Sequence, residues 1–145
     1  MRHIRRSALV AVSPQRMFEL INDVESYPQF VPGCSGASVL ERDGDSLRAR
    51  LTVGSGLLRT SFVTRNHLRP PHAIDMELDE GPLRSLTGKW RLVPVAAGSV
   101  AGCRVELDLD FEVERGLAGL ALGPAIERVA GSLVDAFVAR ARAVA

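Results

Sequence analysis

The chain has 145 residues, 46% of them hydrophobic and 24% charged, with a formal net charge of +1. That balance describes one globular domain large enough to bury its own core, and it excludes wholesale disorder. A charge so close to zero supplies no global field to draw in a polyanion, which argues against DNA as a partner.

The start of the chain, MRHIRR, is basic, but the apolar run behind it, Ala8 to Val12, falls short of the roughly 7 residues that an export signal needs. No run approaches the ~18 apolar residues of a membrane span. The expected location is therefore the cytoplasm, or the periphery of the inner membrane face. Cys34 and Cys103 stand in no metal-ligand spacing and read as reduced packing residues.

A first strand is expected from Ile4 to Val12. Ser13 followed by Pro14 is an N-cap with proline at the first helical position, and Met17, Phe18, Leu20 and Ile21 give the short helix behind it an apolar face. The stretch DVESYPQFVPGC, residues 23–34, sets Tyr27, Phe30 and Val31 between two prolines and suits neither a long helix nor a central strand. Strands follow near Ala37 to Arg42 and from Leu47 to Val53, joined through Asp43-Gly44, a strong hairpin signal. Gly54-Ser55-Gly56 then reads as a flexible turn into a strand from Leu58 to Leu68.

Further strands are expected over Ile74 to Asp79 and, after Glu80-Gly81-Pro82, over Leu83 to Val95. From Cys103 to Glu114 apolar and charged residues alternate without a fault. Period two over twelve positions means a strand with one dry face (Cys103, Val105, Leu107, Leu109, Phe111 and Val113) and one wet face, as in antiparallel sheets. A last helix opens at Gly123-Pro124, after a looser turn through Leu117 to Leu122. Its residues Ile126, Val129, Ala130, Leu133, Phe137 and Val144 form one stripe, with Arg128, Asp135 and Arg142 opposite.

Seven strands in a meander, one long terminal helix and one helical insert after the first strand make an α+β domain spanning residues 1–145. A helix with one apolar stripe has only the dry face of the sheet to lie on, so the sheet is expected to curl around it. Periodicity does not decide whether side chains fill the space between them or leave a ligand-sized hollow. If Phe62 points inward, then Thr60, Thr64 and Asn66 share its face and need partners. Arg140 lies close to the apolar stripe, where it either snorkels past the helix end or turns its guanidinium toward the hollow. Trp90, with Leu86 and Leu92 beside Gly88, offers a flat wall and one donor.

The search for catalytic groups is negative. His3, His67 and His72 are scattered, with no pair at the spacing of a helical metal site. Ser55 lacks the strand-to-helix context of a nucleophile elbow, and no phosphate loop occurs. The chain reads as a binding protein without metal or catalytic residues.

Several motifs in order resemble the coenzyme Q-binding and ribosome-association-toxin group of the START-like, helix-grip proteins. They are Asp23–Pro32, Phe62-Val-Thr-Arg-Asn66, Gly81–Trp90, Asp110-Phe-Glu112 and Val134–Ala141. The resemblance implies a curved seven-stranded sheet gripping the terminal helix, and a hydrophobic tunnel. It implies ubiquinone or a similar isoprenoid lipid as bound ligand in some relatives, with a role supporting respiration and transient membrane contact. In others it implies binding of the large ribosomal subunit. On that fold Phe30, Leu51, Val53, Phe62, Met76, Leu78, Trp90, Phe137 and Arg140 are expected to line the site, and Tyr27, Pro28 and Val31 to gate it. A ribosomal role would need a basic outer face. Arg2, Arg5 and Arg6 together with Arg48, Arg50, Arg59 and Arg65 on what reads as an adjoining hairpin are the candidates.

Overall fold

The computed structural model of the protein describes residues 1–54, 57, 59–97 and 100–144. Strand β1 (Arg2–Val10) leads into helix α1 (Pro14–Asn22) and a 3₁₀ segment (Val24–Gln29). Strands β2 (Cys34–Asp43), β3 (Ser46–Val53), β4 (Thr60–Arg69), β5 (Ala73–Glu80), β6 (Leu83–Ala97) and β7 (Val100–Val113) follow, and helix α2 (Leu117–Ala143) ends the chain. The seven strands form one antiparallel sheet in the order β1-β7-β6-β5-β4-β3-β2. This is the curved, helix-gripping architecture expected from the alternation and from the single long helix.

Alternation sets the two faces. On β7 Cys103, Val105, Leu107, Leu109 and Phe111 are buried against α2, while Arg104 and Asp108 between them are exposed. α1 begins where a cap is available: the Arg16 N–H donates to Ser13 Oγ at 3.1 Å, and Met17, Phe18 and Ile21 turn inward.

α2 begins at Leu117, six residues before the expected start at Gly123-Pro124, and the proline lies inside it. Gly123 serves another purpose there. A Cβ at that position would meet the Arg2 guanidinium at 2.6 Å, so the glycine is a notch in the helix across which Arg2 reaches Glu127 at 3.2 Å. The buried stripe runs through Ile126, Val129, Ala130, Val134, Phe137, Val138 and Ala141, whereas Val144 is exposed at the C-cap. The expected turn residues Ser55 and Gly56, and Leu58, lie outside the described residues.

The chain leaves the 3₁₀ segment through Gly33, whose φ of +83° is a left-handed conformation. A Cβ there would lie 2.9 Å from Val129 Cγ2. The Gly54 N–H donates to the Gly33 carbonyl at 3.0 Å, so this junction seats the segment against both α2 and the end of β3. Gly33→Ala is expected to destabilise the fold by about 2 kcal/mol, through backbone strain and the clash with Val129. Urea denaturation measures it, and a loss under about 0.5 kcal/mol would mean that the junction relaxes freely.

Candidate functional site

Between the inner face of the sheet and α2 lies an apolar cavity. Space open to the centre of a water molecule amounts to about 80 Å³, and the whole void, open mouth included, to about 760 Å³. At ~10–15 Å³ per water the enclosed part holds only a handful of waters. Its floor follows one row of the sheet, in which Leu109, Gly88, Met76 and Asn66 face one another across β7, β6, β5 and β4. A Cβ on Gly88 would stand 2.6 Å from Met76 Cε and 2.9 Å from Leu109 Cδ1. The glycine thus makes the dip into which these two side chains settle, and Met76, unbranched and flexible, is the part of the floor that gives when something larger enters.

Of the residues expected to line the site, Leu51, Val53, Phe62, Met76 and Trp90 stand on the cavity wall, together with Tyr27 and Val31 of the expected gate. The walls are completed by residues that the same periodicities mark but that were not singled out as ligand contacts. These are Leu86, Leu107 and Leu109 on the strands, and Ile126, Val129, Ala130 and Leu133 on α2. The inward register of β4 places Phe62, Thr64 and Asn66 together, all buried, with a bulge after Val63. Thr64 donates its hydroxyl to Asn66 Oδ1 at 3.0 Å.

Four other expected lining residues stand elsewhere. Leu78 is only partly buried, at the side of the core. Phe137 is fully buried behind the wall, edge-on to Trp90 with ring centres 5.4 Å apart, to Tyr27 at 5.2 Å and to Phe30 at 5.3 Å. Phe30 lies over this cluster, and Arg140 covers it from outside, with the guanidinium 5.1 Å from the ring centre. Arg140 therefore does not turn into the cavity: the cation finds a π face and water at the helix end, a better position than an apolar hollow. Pro28 is exposed on the outer side of the 3₁₀ segment. What closes the cavity here is Tyr27, held by Phe137 and by the bond its hydroxyl donates to the Ile21 carbonyl.

The arginines do not gather into one basic face. β1 and β3 sit near opposite ends of the strand order, so they are not adjoining. Arg48 is held by Asp79 and Glu80, Arg2 by Glu127, and Arg5 by Asp108 at 3.5 Å. In one row of the outer face the charges alternate in sign from strand to strand, Arg5, Asp108, Lys89 and Asp75 standing opposite one another, whereas Arg48 and Arg65 face each other directly across β3 and β4. Alternation along one strand reveals which side chains are wet, but not which strand lies beside it, and that neighbour decides whether charges add or cancel.

The model of the polyketide cyclase/dehydrase and lipid transport family matches residues 10–138. The chain is 43% identical to ribosome association toxin RatA of Pseudomonas aeruginosa, over 97% of this chain and 95% of that one. It is 31% identical to the mitochondrial coenzyme Q-binding protein coq10 of Schizosaccharomyces pombe, over 95% of this chain and 85% of that one. Among solved structures, the Zhui aromatase/cyclase of a Streptomyces species superposes with a TM-score of 0.80 at 20% identity, covering 97% of this chain and 93% of that one. That last likeness is one of fold.

Burial raises the pKa of three weak acids, Tyr27 and Cys34 on the cavity wall and Cys103 elsewhere in the core. Tyr27 is pushed well above the ordinary range of a phenol, chiefly by desolvation, with Cys34 and Asp23 adding to it. Desolvation also raises the Cys34 thiol, and takes Cys103 from 9.0 to about 11. An unfolded chain releases these protons at ordinary pKa values while the folded chain keeps them, so between those values the native state binds more protons and stability falls as pH rises. The urea midpoint is expected to decline as pH climbs from 9 towards 11, and Cys103→Val is expected to make the decline shallower. A midpoint that stayed level over that interval would contradict the burial of these groups.

Proposed function

The chain belongs to the polyketide cyclase/dehydrase and lipid transport family, and from that premise we propose that it binds an uncharged hydrophobic ligand, with a quinone bearing an isoprenoid tail as the leading candidate. The observation that carries this reading is the composition of the cavity wall. Of its residues only Thr64, Asn66, Tyr27 and Cys34 bring oxygen, amide or thiol groups besides the Trp90 indole, and none carries a charge. Burying each methylene of a ligand there contributes about 0.8 kcal/mol, so a single prenyl unit contributes several kcal/mol. The relative named as a coenzyme Q-binding protein supports the choice of quinone.

The chemistry of the wall supports binding rather than catalysis. Among the described residues that line it there is no carboxylate, histidine or lysine to move a proton, and burial holds its phenol and its thiol protonated. No helix among the described residues is long and apolar enough to cross a membrane. A lipid-soluble ligand is then collected by transient contact with a membrane surface, and Leu57 and Leu120, both exposed near the end of the sheet where α2 begins, are the apolar side chains positioned to touch it.

A second reading, association with the large ribosomal subunit, is favoured by the higher identity to the relative named RatA. It would use the outer surface and leave the cavity free, so the two activities do not compete for one site. It would rest on Arg48, Arg50 and Arg65, which share the β3–β4 pair, without the reinforcement of Arg2, Arg5 and Arg6 on distant β1.

Lipids extracted from the purified protein are expected to contain a quinone when compared by mass spectrometry with a blank. Because Trp90 is the one tryptophan of the chain and stands on the wall, added short-tailed quinone is expected to quench its emission saturably. An empty extract without quenching, together with cosedimentation with large ribosomal subunits, would reverse the order of the two readings.

A further inference from the structure

We infer that Asn66 selects the head group of the ligand, and that the head it selects is uncharged and accepts hydrogen bonds: a quinone carbonyl or a quinol oxygen in preference to a carboxylate or a head without oxygen. The inference rests on the reading of the cavity as a hydrophobic-ligand site. Its basis is a hydrogen-bond count at the polar corner of an otherwise apolar wall.

Asn66 is more than nine-tenths buried, at 8% exposure, and lines the cavity. Its Oδ1 accepts from Thr64, while its amide nitrogen has no partner among the described residues. The Tyr27 hydroxyl is spent on the Ile21 carbonyl. What the corner still lacks is therefore an acceptor. Water can reach the amide nitrogen through the cavity; a ligand that displaces this water without an acceptor leaves the N–H unpaired, which is costly, so one that brings an acceptor gains more here than one of equal size that does not. A quinone carbonyl supplies it directly. A quinol hydroxyl supplies it as well, since its oxygen also accepts while its proton can go to the lone pair of Oδ1 that Thr64 leaves free. A carboxylate brings an acceptor with a full negative charge, and the wall offers no cation to offset its desolvation.

The position of Asn66 agrees with the count. It neighbours Met76 in the floor row, next to the dip that Gly88 makes, so a head group at Asn66 lies over the part of the floor that can move. Thr64 acts as a positioning residue: by donating to Oδ1 it turns the amide N–H groups toward the ligand.

The test compares four ligands on a matched decyl tail: a ubiquinone, its quinol, a carboxylic acid and an alkylbenzene without oxygen. Binding is read from Trp90 quenching or from displacement of the quinone. The wild-type protein is expected to hold the quinone about tenfold more tightly than the acid or the alkylbenzene, with the quinol close to the quinone. Asn66→Leu is expected to lose about tenfold for the quinone and nothing for the alkylbenzene. Asn66→Asp, which keeps the shape without the amide donor, should show the same loss of quinone at neutral pH, and a thermal melt of each variant shows that it folds. Thr64→Val removes the hydrogen bond that orients the amide and is expected to narrow the preference of quinone over alkylbenzene. Equal affinity of the wild type and both folded Asn66 variants for the quinone would overturn the inference while leaving the cavity reading in place. Failure of the wild type to bind either the quinone or the alkylbenzene would overturn both.

Discussion

The structure depends on a mismatch of widths. Seven strands spaced ~4.8 Å apart make a sheet about 29 Å across, while a helix with its side chains is only ~10–12 Å wide. One helix cannot cover such a surface laid flat. The sheet curls, α2 lies in the concavity, and the margins that α2 leaves bare must be closed by something else. α1 and the 3₁₀ segment do this, α1 through Met17, Phe18 and Ile21 and the segment through Tyr27. A hollow persists where the closing pieces meet, since the strands diverge from a straight rod faster than side chains can fill the gap.

Aromatic edge contacts hold the closing segment alongside its hydrogen bonds. Phe137 touches Tyr27, Phe30 and Trp90 edge-on, each such pair adding roughly 0.5–1.5 kcal/mol beyond the area it buries. Phe137 thereby links the closing segment to the sheet without entering the cavity.

The fold was legible in the sequence because its strongest requirement, one dry face and one wet face on each strand, leaves a period that reads directly. The twelve faultless positions from Cys103 to Glu114 place Leu107 and Leu109 on the inner face without knowledge of any neighbour. Part of the wall followed for the same reason, through Val53, Phe62 and Trp90. What did not follow depends on partners distant in sequence. Gly123 has the pattern of a helix start, yet it is small because Arg2, more than a hundred residues earlier, crosses the helix there. Arg140 lies near the apolar stripe, and only the placement of Phe30 shows that its charge rests on a ring outside the cavity. Phe137 has the signature of a lining residue, since full burial and exposure to an internal hollow give the same apolar periodicity.

The row Arg5, Asp108, Lys89 and Asp75 has one more consequence. The charges of Arg5, Asp108, Lys89 and Asp75 change sign every ~4.8 Å and cancel within about one Debye length at physiological ionic strength, so this row projects almost no far field. An encounter over this row proceeds by unassisted diffusion, at a rate nearly indifferent to added salt, and discrimination begins there only once the two surfaces touch.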